Sequence, residues 1–404
     1  MKRAPTRDII LLFVTTRLGL MVVTYFGYIL LTAPKYSSTG VDTAALFTSW
    51  NHWDAANYVR IAQFGYGSRY DSAFFPLFPL LISIIAHPLG DWSYLLVGTL
   101  LSNAAFLGAL FVIYQLATDI LGERVGRRTL LYLCIFPTAL YFFAAYNESL
   151  FLLLTSGTFL AMRRQKWWIA GILGLFAALT RTAGFLLIIP YLYELWILRG
   201  MRGHRGPRDG QSTAQQRDAQ IDQAEREAHP RLASITPAVL PLFLIPLGTA
   251  LYCIYCWKTF SDPFAFANVQ NHWDRHLTWP GQGILQSLFE LLFQPFGSFY
   301  EAHILLDLSA TLGFIVLAVL GWRTLRMSYN IWLGALLLYM LLSPSTQPDA
   351  LVSSQRFVLE MFPAFITLAL LGSKHQRLHQ ALWLAFPLLQ ATLSIIFIMN
   401  KWLV

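Results

Sequence analysis

Long apolar runs, separated by short polar or basic joints, occupy most of the chain. A membrane-spanning helix needs about 20 predominantly apolar residues. Segments 9–31, 93–117, 129–146, 148–162, 167–181, 183–198, 233–257, 303–321, 329–342, 356–372 and 381–400 approach that pattern, and several are short. Segments 167–181 and 183–198 meet at Thr180-Arg181-Thr182. The run 74–90 is apolar but short and carries Pro76, Pro79 and Pro88, so it is expected to lie along the membrane surface. It closes the longest joint, 32–92. There Ala55 to Phe64 has helical spacing, with Tyr58, Ile61 and Ala62 on one face and Gly65 as the stop. Asp54 stands where an N-cap would, and capping is its plainest role. The polar stretch 199–232, rich in Arg, Gln, Asp and Gly, reads as a solvated linker with room for a short helix at 213–228.

Composition turns this pattern into a fold class. Of 404 residues, 56% are hydrophobic and 12% charged; soluble domains carry about 25% charged residues. The mean hydropathy is +0.51. The chain is therefore expected to be one all-α, polytopic integral membrane domain over 1–404, with about eleven transmembrane helices. The net charge of +8 does not argue for nucleic acid, because the basic residues sit in short clusters between apolar runs. With 74–90 at the interface, most of the 29 Lys and Arg fall in joints on one side, seven of them in 199–232. The positive-inside rule makes that side cytoplasmic. The N-terminus is then inside, the C-terminus outside, 9–31 a signal anchor, and 32–92 an extracytoplasmic loop. Cys134, Cys253 and Cys256 lie in apolar runs, and the Cys253–Cys256 spacing lacks the further ligands of a zinc site.

Candidate chemistry collects in the outside joints. Trp50-Asn51-His52-Trp53-Asp54 opens the helix of loop 32–92. Glu148 lies in Tyr146-Asn147-Glu148-Ser149 between two apolar runs, where an ionisable side chain is costly unless paired or functional; a hairpin or cap role is its plain alternative. Asn-His-Trp-Asp occurs at both 51–54 and 271–274, but the flanking residues differ and coincidence explains it. His52 and His272 with Asp54 and Asp274 could offer metal donors, yet their spacing fits no established ligand motif, so no cofactor is expected.

Trp53-Asp54, Tyr58, Ile61-Ala62, Gly65-Tyr66 and Phe74-Phe75-Pro76-Leu77-Phe78-Pro79-Leu80 together resemble the PIG-V mannosyltransferase family. The resemblance continues in order through Phe136-Pro137-Thr138, Tyr146 to Phe151 and Leu179-Thr180-Arg181, then at Gln270, Trp273-Asp274-Arg275 and Arg356-Phe357. It implies a GT-C-type fold with interfacial helices in the first outside loop. It also implies inverting transfer of a sugar, usually mannose, from a polyprenyl- or dolichyl-phosphate carrier to a hydroxyl. Asp54 matches the family's loop carboxylate and becomes the candidate general base, with Glu148 as the second catalytic candidate. A departing lipid phosphate needs cations, and Arg356, Arg181 and Arg275 are the candidates, with headgroup anchoring as their plain alternative. His52, Trp53, Tyr58, Arg60, Gln270 and Trp273 are candidate substrate contacts.

The expected partners are a polyprenyl-phosphate sugar donor, a glycan or lipid acceptor, and membrane lipids, with no nucleic acid. The site would be extracytoplasmic, in the plasma membrane of a bacterium or the endoplasmic reticulum of a eukaryote. A transporter or flippase of a lipid-linked substrate is the main rival. It would account for the spans, but it predicts inverted repeats with broken helices, and none is evident in the sequence.

Overall fold

The computed structural model describes residues 5–33, 40–203 and 238–401. Most of the expected linker 199–232, including the helix at 213–228, lies outside the described residues. The rest is largely helical. The main helices are α1 (Thr6–Thr32), α2 (Asp54–Phe64), α3 (Leu77–Ala86), α4 (Ser93–Leu121), α5 (Glu123–Ile135), α6 (Glu148–Arg163) and α7 (Trp167–Ala178). There follow α8 (Ile188–Gly203), α9 (Leu244–Phe260), α10 (Gln282–Phe293), α11 (Phe299–Gly321), α12 (Met327–Leu341), α13 (Phe362–Lys374) and α14 (Gln376–Ile398). Among the described residues no β-strand forms; Arg275 and Ser345 make one isolated antiparallel bridge.

Among the described residues, five helices are long and apolar enough to cross a bilayer alone: α1, α4, Leu240–Phe260, α11 and α14. Ser354–Glu360 and α13 would make a sixth as one broken span, bent by 87°. The other expected spans are shorter. Segment 129–146 is not one helix: α5 stops before Phe136-Pro137, and a short 3-10 turn, Ala139–Phe142, carries the chain on to α6. Proline has no N–H to continue the helical ladder, and the residue before it is pushed out of helical geometry; Phe136 is extended, with ψ 143°. The outward faces of the long helices are apolar: Leu11, Leu18, Val22, Phe26 and Leu30 of α1 are exposed. Such a stripe needs lipid as its solvent, which makes the protein an integral membrane protein.

The core is a stack in which α4 packs on α6, α6 on α7, and α7 on α9, while α5 packs on α13 and α1 on α14. Lipid gives helices no hydrophobic drive to associate, so close backbone approach through small residues takes its place. At Gly171 of α7 an added Cβ would lie 2.3 Å from the Pro241 carbonyl oxygen, and at Gly248 of α9 it would lie 2.5 Å from that of Leu175.

One end of this stack carries the irregular chain. α3 is partly buried against α2 and α4, and the N–H of Leu77 donates to the Leu179 carbonyl at 3.0 Å. Tyr252 Oη donates to the Ser72 carbonyl, Asn147 Nδ2 to that of Thr180, and Thr138 Oγ1 to that of Gln355. These bonds tie the segments around 54–75, 136–148, 179–183, 266–277 and 343–361 into one rim.

Candidate active site

α2 is amphipathic: Ala55, Tyr58, Ile61 and Ala62 are buried, which holds its N-terminus at the rim. The N-cap residue is Trp53, not Asp54, and it has φ 55° and makes no side-chain cap bond. A bulky residue at positive φ costs about 1–3 kcal/mol, a strain that concentrates at functional sites. The strained turn makes Asp54 the first residue of the helix, where the N–H groups of the first turn favour a negative charge. Its carboxylate is not spent on capping: Oδ2 lies 2.7 Å from Arg356 Nη1.

That contact begins a chain of charges. Arg356 Nε is 3.0 Å from Glu148 Oε1. The same oxygen accepts from Arg181 Nη1 at 3.0 Å, and Arg181 Nη1 also lies 2.5 Å from Glu360 Oε1. Glu148 is fully buried at the start of α6. Burying a charge is tolerated when it is paired, and removing one partner of a buried pair costs about 3–5 kcal/mol. Arg275 differs. Its Nη2 donates to the Val352 carbonyl at 2.8 Å, and it makes no ion pair among the described residues. All three guanidinium groups gather on one ring: Arg181, Arg275 and Arg356 lie 5.2, 5.3 and 5.4 Å from the centroid of Phe357. Arg356 also faces Tyr141 and Tyr146, at 5.6 and 5.4 Å.

These groups surround a cavity of about 580 Å³. Asp54, Arg181, Arg275, Arg356, Trp53, Tyr58, Gln270 and Trp273 all line it, so residues distant in sequence share one space. Glu148 does not line the cavity; it stands behind Arg181 and Arg356 and holds both. His52 and Arg60 are also outside it. His52 packs edge-on to Phe397. Arg60 is paired with Asp71 at 2.5 Å, and the Asp71 carboxylate also accepts the N–H groups of Gly67 and Ser68, which shapes the turn before Phe74. Burial alone would raise the Asp71 pKa, but Arg60 and these two N–H groups outweigh it and hold the carboxyl below its ordinary range.

Two contributors escape sequence reasoning. Glu360 sits inside the apolar run 356–372, and an acid in such a run is itself the available signal. Tyr70 lies with its ring 5.1 Å from Trp273 and 5.3 Å from His272, and with Asn57 it extends the cavity on the Asp54 side; nothing in the local pattern marks it. The two Asn-His-Trp-Asp copies adopt different backbones. In the first, Trp53 has the positive φ; in the second, Asp274 does, with φ 51°. Asp274 binds Gln347 Nε2 rather than joining Asp54. Among the described residues no three His, Cys, Asp or Glu side chains gather as a metal site.

Residues 7–194 match the family model for mannosyltransferase (PIG-V). This part of the chain is PIG-V-like. The PIG-V-like part contains Asp54, Glu148 and Arg181, whereas Arg275, Arg356 and Glu360 come from beyond it. The chain is 31% identical over 163 residues to the GPI alpha-1,6-mannosyltransferase 2 of Rattus norvegicus, covering 37% of this chain and 33% of that protein. The Homo sapiens protein of the same name is 30% identical over 163 residues, with the same coverage. GPI mannosyltransferase 2 of Schizosaccharomyces pombe is 28% identical over 141 residues, 34% of this chain and 30% of the relative. The aligned region thus spans about a third of the length of the curated relatives it matches. Among solved structures, ArnT from Cupriavidus metallidurans, bound to undecaprenyl phosphate, aligns over 91% of this chain and 60% of its own, with TM-score 0.46 and 14% identity. The oligosaccharyltransferase AglB from Archaeoglobus fulgidus aligns over 96% and 55%, with TM-score 0.39 and 14% identity.

Proposed function

We propose that the protein is a GT-C-type glycosyltransferase that moves mannose from a polyprenyl-phosphate carrier to a hydroxyl acceptor on the extracytoplasmic face, with inversion and with Asp54 as general base. The observation that carries the reading is the convergence in one cavity of a carboxylate at a strained helix start and three arginines, one of them without an ion-pair partner among the described residues. The PIG-V match and the names of the relatives support mannose as the sugar. The charge distribution supports the extracytoplasmic face, because the basic joints gather on the opposite side.

The chemistry follows from the arrangement. Arg181 and Arg356 are each balanced by carboxylates, so the cation with unspent charge is Arg275. A donor phosphate would seat against Arg275 first. Its negative charge would then draw Arg356 off Asp54, freeing the Asp54 oxygen for the acceptor hydroxyl. In the transfer step the acceptor oxygen forms a bond to the anomeric carbon as its proton passes to Asp54. The bond from that carbon to the phosphate oxygen breaks, and its electron pair leaves with the polyprenyl phosphate, whose charge the arginines stabilise. Glu148 acts by holding the two arginines in place. Aromatic rings of Trp53, Tyr58 and Trp273 with the amide of Gln270 give the cavity apolar faces and donors suited to a pyranose.

The test is transfer of labelled mannose from polyprenyl-phosphate mannose to a membrane lipid extract by purified protein in nanodiscs. Label is expected in a new product, and Arg275→Ala is expected to raise the donor KM by about one to two orders of magnitude, in line with about 1.5–3 kcal/mol for a charge-assisted hydrogen bond. Unchanged donor KM in Arg275→Ala would remove Arg275 from phosphate binding. Label carried across the bilayer of vesicles without a new product would favour a transporter.

A further inference from the structure

α10 lies outside the cavity, in the segment between the long helices α9 and α11. Its sequence places Gln282, Gln286, Glu290 and, just past its end, Gln294 at intervals of four, a single polar ridge. Leu285, Leu288, Phe289, Leu292 and Phe293 fall on the face beside that ridge, and Phe296 follows; all six are exposed, Leu292 at 79% and Phe296 at 98%. The opposite side is packed: Gly283 and Ser287 are buried, and a Cβ at Gly283 would meet Leu351 and Pro344 at 3.0 Å. Gln286 Nε2 donates to the Gln347 carbonyl. The helix is thus fixed to the 343–353 segment, whose Ser343, Gln347 and Val352 line the cavity.

We infer that α10 is an interfacial helix whose apolar face is sunk into the lipid layer on the cavity side of the membrane, so that the bilayer itself braces one wall of the site. Three observations favour lipid as the occupant. A short joint, 294–298, connects the apolar helix to α11, which is long and apolar enough to cross a bilayer and leaves Leu312, Val316 and Val319 exposed. No Lys or Arg occurs between Arg275 and Arg323, so the surface carries no such cation for an acidic partner and would be held by apolar insertion. Trp279, which leans its ring over Gly281 at the helix start, is exposed at the edge of the patch, where an indole suits the boundary between water and hydrocarbon.

The experiment uses single replacements Phe289→Cys, Leu292→Cys and Phe296→Cys on the apolar face, and Gln286→Cys and Glu290→Cys on the polar ridge. All are made in a Cys253→Ser background, because the other two native cysteines are buried. Each is labelled with an environment-sensitive fluorophore after reconstitution into phosphatidylcholine vesicles carrying nitroxide on the acyl chain. The expected result is a blue-shifted emission, quenched several-fold more strongly by the chain nitroxide, at 289, 292 and 296 than at 286 and 290. Equal quenching on both faces would overturn the inference, as would quenching by aqueous iodide alone at the apolar positions. Disulfide cross-linking between two copies of the unlabelled Leu292→Cys variant would overturn it in favour of a dimer interface. Lipid quenching seen only after polyprenyl phosphate is added would overturn it in favour of a carrier-chain site.

Discussion

Glu148 shows how much of the site rests on a residue that does not touch the cavity. It is fully buried and shared by Arg181 and Arg356. Glu148→Gln leaves Arg181 with Glu360 and Arg356 with Asp54 but removes the charge that joins the two pairs, so a stability loss of about 1.5–3 kcal/mol is expected, read as a lower midpoint in detergent unfolding. Unchanged stability with lost activity would instead make Glu148 a chemical participant. The Asp71 clamp has a pH signature. Its folded pKa is depressed, so its contribution is present above the ordinary aspartate range, near about 4, and fades as pH falls through the lower folded value. The gap in thermal midpoint between wild type and Asp71→Asn should therefore be open at neutral pH and close under strongly acidic conditions. A gap that persists unchanged under those conditions would contradict the account.

Among elements, α2 was legible in the sequence because its apolar spacing, its stop at Gly65 and its burial all have local causes. Its start differs by one residue from the position that capping preferences indicate, since Trp53 takes a positive φ that no residue propensity announces. Breaks within apolar runs are harder to see. Segment 129–146 divides at Phe136-Pro137 and 356–372 divides before Phe362, with Glu360 at the end of the first piece. Hydropathy alone does not distinguish a straight span from a broken one, because both are equally apolar. Close packing of α7 on α9 is a property of the pair: Gly248→Leu should separate these helices and lower the unfolding midpoint by more than Gly313→Leu, where an added Cβ meets nothing within 4 Å. Equal effects would mean that the two helices tolerate separation.

At the scale of the whole molecule, class is more legible in the sequence than geometry. Apolar content and the ordered motifs point to an all-α membrane protein with Asp54, Arg181, Arg275 and Arg356 as site candidates, and the fold brings these four to one cavity. His52 and Arg60, both substrate-contact candidates, lie outside it: Arg60 is turned by α2 toward Asp71, and His52, which precedes the helix, packs on Phe397. Tyr70 and Glu360 enter through long-range packing, which one sequence does not display. The assembled cavity joins residues of the PIG-V-like part to Arg275, Arg356 and Glu360 from the remainder, so the two parts of the chain make one site.

The central claim is that Asp54 takes the acceptor proton in a cavity whose arginines hold the donor. The most direct measurement compares wild type with Asp54→Asn in mannose transfer at saturating donor, with donor binding measured in the same preparations. A loss of about 10²–10⁴ in kcat, with donor binding retained, is the predicted result for removal of a general base. Full transfer by a folded Asp54→Asn protein would contradict the account.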